Sequence, residues 1–288
     1  MDAVSKKIGV VGAGLMGAEI ALVFALAGHD VLLNDRDQAS LERAMARLRI
    51  LLEKGVGRQF YAADQLEPTL ARIRAVSDIG YFADREMVTE AVYEALDVKL
   101  EVLKALDHIC QASCIIASNT STIPISTLAA VLPVQRRERF IGTHYFSPVS
   151  RMKLVEVIPG FDTLDETLKN VMDIITQIGK NPIRVKDVAG FAVNRMLHMF
   201  IIEAVKLVEE GVATPEDLDT ACRLGLGHSM GPFELMDVVT SSLCVQAQEI
   251  MQEAYGERFR PPALLKQRVR AGYAGGKGKP GWRKSNGL

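Results

Sequence analysis

The stretch from Lys7 to Asp35 constrains the fold more than any other part of the chain. Ile8 to Val11 is a short apolar, β-branched run, which is typical of a buried parallel strand. Three glycines follow in the spacing G-x-G-x-x-G, and after them Leu15 to Ala27 is almost wholly apolar or small. This order predicts a strand, a tight glycine turn and a helix that is buried against a sheet.

Each glycine of the motif has a physical role if the turn binds a dinucleotide. Gly12 allows the tight turn, Gly14 lets a pyrophosphate approach the backbone, and Gly17 lets the helix pack close to the strand. The start of the helix, with Leu15 and Met16, then faces the phosphates through its amides and its dipole. A plain strand–turn–helix would not need glycine at all three positions, so we predict that this loop binds a dinucleotide.

The acidic residue after the second apolar run indicates which dinucleotide it is. Asp35 lies 23 residues beyond Gly12, close to the ~20 expected of the carboxylate that accepts the ribose hydroxyls. A carboxylate at this position repels a 2′-phosphate, so NAD is favoured over NADP. The neighbouring Arg36 would soften that preference.

Composition and charge set further bounds on function. The chain has 288 residues, 48% of them hydrophobic, and a formal net charge of −1, so neither nucleic acid nor a membrane is an expected partner. No run is long and apolar enough to span a bilayer. The cysteines show neither C-x-x-C nor zinc spacing, so we expect no metal site and reduced thiols in a cytoplasmic protein. The four cysteines are Cys110, Cys114, Cys222 and Cys244.

Alternating strand-like and helical stretches continue to Asp187, and no strand-like run follows. The sequence therefore predicts an α/β fold, with a Rossmann-type dinucleotide-binding domain over residues 1–187 and an all-helical domain over 188–288. We expect one helix from Pro232 to about Ala254, and an irregular tail from Ala274. The second domain has many apolar helical positions that need a partner surface, so a homodimer through it is expected.

A hydride transfer from an alcohol to NAD needs a base near the hydroxyl group. The five histidines are His29, His108, His144, His198 and His228. Only His144 is predicted at the carboxyl end of a strand, the edge at which open α/β sheets bind ligands. Glu156 is the one charged residue in an apolar strand of the same domain, and a buried carboxylate needs a partner. That partner is either an imidazole or a nearby Lys or Arg.

Two polar stretches each allow a functional and a plain structural interpretation. The run SNTST at 118–122 follows a buried strand, where a polar substrate would be met, but its composition also fits a helix cap and turn. The helix at about 38–54 carries several basic side chains. These form either a solvated face or a clamp for a phosphate-rich ligand.

Five motifs in order resemble the L-3-hydroxyacyl-CoA dehydrogenases. They are GVVGAGLMG at 9–17, SNTST at 118–122, HYFSPVSRMKLVEV at 144–157, GFAVNR at 190–195 and MGPFELMD at 230–237. The similarity runs from about Lys7 to about Gly281. It implies NAD as cofactor, an acyl-CoA substrate, and the reversible oxidation of an (S)-3-hydroxyacyl-CoA to the 3-oxoacyl-CoA.

The resemblance also implies roles for individual residues. His144 matches the catalytic base and Glu156 the carboxylate that orients it. Ser121 matches a serine that contacts the substrate oxygen, and Asn194 an asparagine reaching in from the helical domain. Lys54, with Arg47, falls where the family holds the CoA nucleotide, which favours the clamp interpretation of the basic helix. The implied cofactor contacts are Asp35, Glu94, Lys99, Ser121 and, near the nicotinamide, Lys277.

The chain departs from the family pattern at two places. Ser147 stands where many members have Asn, although the large multifunctional members also have Ser there. The tail reads KGKPGW, where K-T-G followed by G-F-Y is usual. Two other functions stay open at this point: an NAD-dependent dehydrogenase of a free hydroxy acid, which commonly uses a lysine base, and a non-catalytic NAD-binding or structural relative.

Overall fold

The structure, a computed structural model, describes residues 5–283. The chain divides into two compact units, with Val188 the last residue of the first and Ala189 the first residue of the second. The sequence had placed the domain boundary one residue earlier. Each unit is described by itself below.

The first unit is built on an eight-stranded sheet in the order β3-β2-β1-β4-β5-β6-β7-β8. Strands β1 to β6 are parallel, β7 pairs antiparallel with β6, and β8 runs parallel to β7. The strands are β1 (Lys7–Val11), β2 (Asp30–Asn34), β3 (Ile73–Val76), β4 (Met87–Glu90), β5 (Ile115–Ser118), β6 (Phe140–Tyr145), β7 (Leu154–Pro159) and β8 (Asn181–Arg184). The predicted α/β fold is therefore confirmed.

Seven helices accompany the sheet among the described residues. They are α1 (Leu15–Leu26), α2 (Gln38–Gly57), α3 (Leu66–Ala71), α4 (Leu96–Ile109), α5 (Ile125–Ala129), α6 (Val134–Arg137) and α7 (Asp165–Gln177), with short 3₁₀ turns at Ala63–Gln65 and Ile79–Asp84. Helix α1 is buried along most of its length and packs in the core with β1 and β2. The sequence did not predict α5 and α6, because four or five residues are too few to show a helical period.

The second unit is helical, as predicted. Its helices are α8 (Val193–Glu209), α9 (Pro215–Gly225), α10 (Pro232–Val239), α11 (Ser241–Tyr255) and α12 (Ala263–Arg270), with a 3₁₀ turn at Glu257–Phe259. Buried side chains of α8, α10, α11 and α12 form its main core.

The single helix expected from Pro232 to about Ala254 is wrong, because the chain breaks at Thr240. This residue has a φ of 82°, its hydroxyl accepts the amide of Leu243 at 3.5 Å, and the amide of Ser241 donates to Ala274 O at 2.7 Å. A β-branched residue seldom adopts positive φ, and no glycine or proline marks the break. Thr240 is itself the N-cap of α11, and Thr is a common cap residue, so this cap was the one local sign of the break.

The tail has no helix or strand over residues 274–283, in agreement with the prediction, yet its path is determined by hydrogen bonds. Trp282 is buried, its amide donates to Asp237 Oδ1 at 2.7 Å, and its indole donates to Ser241 Oγ at 2.9 Å. Residues 284–288 of the predicted tail lie outside the described residues.

Within residues 5–283, no helix is long and apolar enough to cross a membrane. No group of His, Cys, Asp and Glu side chains in that range is arranged to hold a metal ion. The four cysteines are buried free thiols.

Candidate active site

The glycine-rich turn after β1 has the shape that its sequence predicts. Gly12 has a φ of 101°, and a Cβ there would lie 2.6 Å from the carbonyl oxygen of Ala91. A Cβ on Gly17 would collide with the carbonyl oxygen of Gly12. A Cβ on Gly14 would meet nothing within 4 Å. The loop therefore needs glycine at 12 and 17 for its own packing, and the open side at Gly14 leaves room for phosphate groups to approach the backbone.

Two further features make this turn suitable for a dinucleotide. Helix α1 begins after Gly14 without a side-chain cap, so its first amides can bind an anion. Asp35, which follows β2, accepts the amide of Ala13 at 2.9 Å and that of Asp37 at 3.1 Å. These bonds place its carboxylate beside the turn, where the ribose hydroxyls of NAD are expected.

His144 and Glu156 are brought together by the pairing of β6 with β7. The two residues are opposite each other in the antiparallel register, and Nδ1 of His144 lies 2.7 Å from Oε2 of Glu156. The carboxylate is fully buried and the imidazole is 5% exposed. Because a carboxylate accepts, Nδ1–H is the donor, and the lone pair of the neutral ring is on Nε2. This arrangement suits a general base.

The sequence predicted that Glu156 is the one charged residue in an apolar strand of this unit, and this prediction is wrong. Glu90 ends β4 and is also fully buried. It lies in the apolar run at 87–92, where a carboxylate is just as conspicuous. The same signal could therefore have found it.

The polar run at 118–122 is organised around Glu94. Oε1 of Glu94 accepts the hydroxyl of Thr120 at 2.7 Å, the amide of Ser121 at 2.8 Å and the amide of Thr122 at 3.1 Å. It also accepts the hydroxyl of Ser121 at 3.1 Å. Burial acts to raise the pKa of Glu94, but the charge of Lys99 and these hydrogen bonds outweigh it and hold the pKa below its usual value. Glu94 is therefore an ionised acceptor for the loop that carries Ser121.

The polar run also contacts the strand that carries the candidate base. The amide of Tyr145 donates to Oδ1 of Asn119 at 3.0 Å, and the ring of Phe146 packs against that of His144 with 4.5 Å between centroids. Ser121 and His144 thus belong to two segments joined at the carboxyl edge of the sheet.

Lys99 is more deeply buried than is usual for a side chain that contacts a ligand. It is 1% exposed, and its Nζ is 2.8 Å from Glu90 Oε1 and 3.2 Å from Glu94 Oε2. Its predicted contact with the cofactor stays a prediction.

The two basic residues assigned to the CoA nucleotide occupy different places on α2. Arg47 donates to Gly14 O at 2.9 Å and to Ala13 O at 3.4 Å, so it lies against the glycine-rich turn. Lys54 lies at a separate pocket of about 200 Å³, whose lining also includes Phe60 and Arg151. The guanidinium of Arg151 stacks on the ring of Phe60, with 3.9 Å between Cζ and the ring centroid.

The remaining two site candidates lie in the second unit. Asn194 is half-buried in the first turn of α8. Lys277 is exposed in a tail turn closed by the bond from Lys279 N to Gly276 O.

Two buried charges that the sequence analysis did not single out hold the loop after His144. Oε2 of Glu19 accepts the amide of Ser150 at 2.9 Å. Nζ of Lys180 donates to the carbonyls of Val149 and, at 2.8 Å, Met152. Burial lowers the pKa of Lys180 to about 8. Glu19 is a lone charge in an otherwise apolar helix, and that was the available signal.

Comparison with known proteins gives the same result for both units. A family model described as "3-hydroxyacyl-CoA dehydrogenase, NAD binding domain" matches residues 7–188, and "3-hydroxyacyl-CoA dehydrogenase, C-terminal domain" matches 190–285. The chain is 39% identical to the "Probable 3-hydroxybutyryl-CoA dehydrogenase" of Deinococcus radiodurans, over 96% of this chain and 99% of that protein.

Solved structures agree with this result over nearly the full length. M. tuberculosis FadB2 superposes with a TM-score of 0.93 at 34% identity, covering 97% of this chain and 99% of that one. The (S)-3-hydroxybutyryl-CoA dehydrogenase PaaH1 from Ralstonia eutropha superposes with a TM-score of 0.91 at 36% identity, covering 97% of this chain and 100% of that one. With the glycine turn and the sheet edge in place, these matches show that the chain belongs to the 3-hydroxyacyl-CoA dehydrogenase family and is an NAD-dependent oxidoreductase.

Proposed function

We propose that this protein reversibly oxidises an (S)-3-hydroxyacyl-CoA to the 3-oxoacyl-CoA, with His144 as the general base. The observation that carries the proposal is the hydrogen bond between His144 and the buried carboxylate of Glu156. Relatives named for 3-hydroxybutyryl-CoA support the substrate class.

The chemistry divides between cofactor and protein. NAD, when bound, supplies the acceptor for the hydride that leaves C3 of the substrate. Nε2 of His144 takes the proton of the C3 hydroxyl, and in the reverse direction returns it to the oxygen. The carboxylate of Glu156 stabilises the imidazolium that forms. A positioned base of this kind typically contributes ~10²–10⁴-fold to the rate.

Ser121 and Asn194 are proposed to contact the substrate oxygens. Ser121 is supported by its place on the loop that Glu94 organises. We expect Ser121→Ala and Asn194→Ala to lower kcat with little effect on the affinity for NADH, measured by fluorescence titration. Loss of NADH binding instead would assign these residues to the cofactor.

Lys54 is proposed to hold a phosphate of CoA at the rim of the pocket beside α2. Removing a hydrogen bond to a charged group predicts a rise of about tenfold in KM for acetoacetyl-CoA in Lys54→Ala, with KM for NADH unchanged. The matched control is Lys169→Ala, which removes an exposed lysine on α7. An equal change in both variants would argue against a specific contact.

Substrate comparison tests the proposal as a whole. The protein should turn over acetoacetyl-CoA with NADH, and free acetoacetate far more slowly. Equal turnover would favour a dehydrogenase of free hydroxy acids, and no turnover of either would favour a non-catalytic relative. A chain-length series of 3-oxoacyl-CoA substrates then identifies the preferred acyl group.

We further propose a homodimer formed through the second unit. Its helices and turns leave several large apolar side chains in solvent, which a second copy of the chain could cover. They include Met196, Val212, Leu224, Leu226, Val238 and Leu243, each more than half exposed. Light scattering should give twice the mass of one chain, and Leu224→Asp should lower it. A monomeric wild type would contradict the proposal. A cytoplasmic location also stays a prediction.

A further inference from the structure

Next to the loop at 118–122 lies a row of charged side chains that take no part in the proton transfer proposed above. The row consists of Glu90, Lys99 and Glu94 and is called the buried charge row here. Glu90 is fully buried and Lys99 is 1% exposed. Because burying charges is costly unless they are paired and hydrogen-bonded, such a row needs an explanation.

Glu90 is bound on both of its carboxylate oxygens. Oε1 accepts Nζ of Lys99 and the amide of Val92, each at 2.8 Å. Oε2 accepts the hydroxyl of Ser118 at 2.7 Å. Glu90 and Ser118 are paired in the parallel register at the ends of β4 and β5, so this carboxylate joins two strand ends at the edge where the polar loop begins.

From Glu90 the contacts lead to Ser121 by two routes. In the first, Lys99 Nζ lies 3.2 Å from Oε2 of Glu94, and Oε1 of Glu94 accepts both the amide and the hydroxyl of Ser121. In the second, the hydroxyl of Ser118 accepts the amide of Thr120 at 3.3 Å. Both routes end on the backbone that sets the position of Ser121.

We infer that Glu90 is a positioning residue for Ser121: it fixes Lys99 and Ser118, and these fix Glu94 and the loop that presents the Ser121 hydroxyl. The inference rests on the proposed function in one respect, namely that Ser121 acts on the substrate.

The geometry favours positioning over simple packing. An apolar side chain at 90 would fill a sheet core at least as well as a buried ion pair does. It could not accept Lys99, Val92 and Ser118 together. Without Glu90, Lys99 would keep only Oε2 of Glu94 and, at 3.4 Å, the carbonyl of Val92. The ammonium group would then lose the buried carboxylate that fixes its position beside Glu94.

A double-mutant cycle tests whether Glu90 acts through Ser121. Glu90→Gln should lower kcat with acetoacetyl-CoA about tenfold in the wild-type background, because the loop loses its fixed position. In the Ser121→Ala background the same change should cost less than about twofold, because the hydroxyl that it positions is gone. If Glu90→Gln lowers kcat by the same factor in both backgrounds, the inference is overturned.

Hydrogen exchange of the protein without ligands gives a second readout. The amides of Ser121 and Thr122 donate to Glu94, so a peptide covering 119–123 should exchange several-fold faster in Glu90→Gln. Asp107→Asn is the control, since it disrupts the partly buried Asp107–Arg136 pair of the same unit. It should leave that peptide and the kinetic cycle unchanged.

Ser118→Ala decides the question if Glu90→Gln does not fold. It removes one hydroxyl from Glu90 and should speed exchange at 119–123 to a smaller degree. Unchanged exchange in Ser118→Ala and in any folded Glu90→Gln would overturn the positioning role. A wild type inactive on acetoacetyl-CoA would instead refute the proposed function, and the exchange result would still stand.

Discussion

Two histidines of the first unit are almost equally buried, yet their ring nitrogens are used in opposite ways. His29 is 1% exposed and His144 is 5% exposed. Nδ1 of His29 accepts the amide of Lys6 at 3.1 Å, so in the neutral ring Nε2 carries the proton. Nδ1 of His144 faces the carboxylate of Glu156, so Nε2 carries the lone pair.

Position and charge account for the difference. His29 directly precedes β2, at the amino end of that strand, and His144 lies near the carboxyl end of β6, where α/β sheets bind ligands. Burial, and secondarily the charge of Lys6, lowers the pKa of His29, which keeps its ring neutral. Burial and the nearby Lys6 therefore favour a neutral His29 whose Nδ1 accepts an amide, and the carboxylate on Nδ1 is the feature that supports the proposed role of His144 as a base.

The largest effect should come from replacing the candidate base. His144→Gln should lower kcat by ~10²–10⁴-fold, because no group remains to take the hydroxyl proton. His29→Gln is the matched control and should stay within about twofold of the wild type. Steady-state kinetics with acetoacetyl-CoA and NADH measures both, and similar losses would remove the distinction drawn between the two histidines.

Changing the carboxylate should make His144 resemble His29. The amide of Glu156→Gln can donate to Nδ1, which moves the ring proton to Nε2. We expect a loss of roughly 10–100-fold in kcat with NADH affinity unchanged, and no further loss when the change is added to His144→Gln. An active Glu156→Gln enzyme would mean that the carboxylate does not set the tautomer.

A third buried histidine, in the second unit, extends the comparison to stability. Burial lowers the pKa of His198 to about 4 from its ordinary 6.5, and no described residue bonds its Nδ1. Between these values the unfolded chain binds a proton that the folded chain does not, so stability falls as pH drops from 6.5 to 4. His198→Leu should remove up to about 3 kcal/mol of this dependence. Urea unfolding at pH 4 to 7 tests it, and parallel curves would contradict it.

The smallest effect is expected at His29. Its pKa is also lowered, by burial first and by Lys6, while Glu86 acts against both. Stability should therefore be lost in the same direction below pH 6.5, and His29→Gln should flatten the curve less than His198→Leu does. Acid unfolding of the two variants side by side checks the order. A steeper curve in His29→Gln would show that the sign is wrong.

Much of the fold could be predicted because its signals are local. The glycine spacing between an apolar run and an apolar helix required the β1–turn–α1 unit, and the absence of strand-like runs after Asp187 indicated the helical unit. Thr240 shows the limit. Its cap bond to the amide of Leu243 is local, but the bond from the amide of Ser241 to Ala274 O joins residues distant in sequence, which no local pattern records.

The site residues likewise divide into those with a local sequence signal and those without one. A carboxylate in an apolar strand indicated Glu156, and the same pattern was overlooked at Glu90 and, in a helix, at Glu19. Lys180 could not have been found in this way. Its function depends on the carbonyls of Val149 and Met152, which are distant in sequence and meet it only in the folded chain.

The reversal of direction at β7 has a consequence for how this enzyme can vary. Because His144 and Glu156 face each other as rungs of one antiparallel ladder, their meeting depends on the count of residues inside the two strands. A change in the length of the eight-residue connection at 146–153 leaves that count as it is, although it would alter the loop that Glu19 and Lys180 hold. One residue inserted ahead of Glu156 within β7 would turn the carboxylate to the opposite side of the sheet, and natural length changes should therefore be confined to the connection.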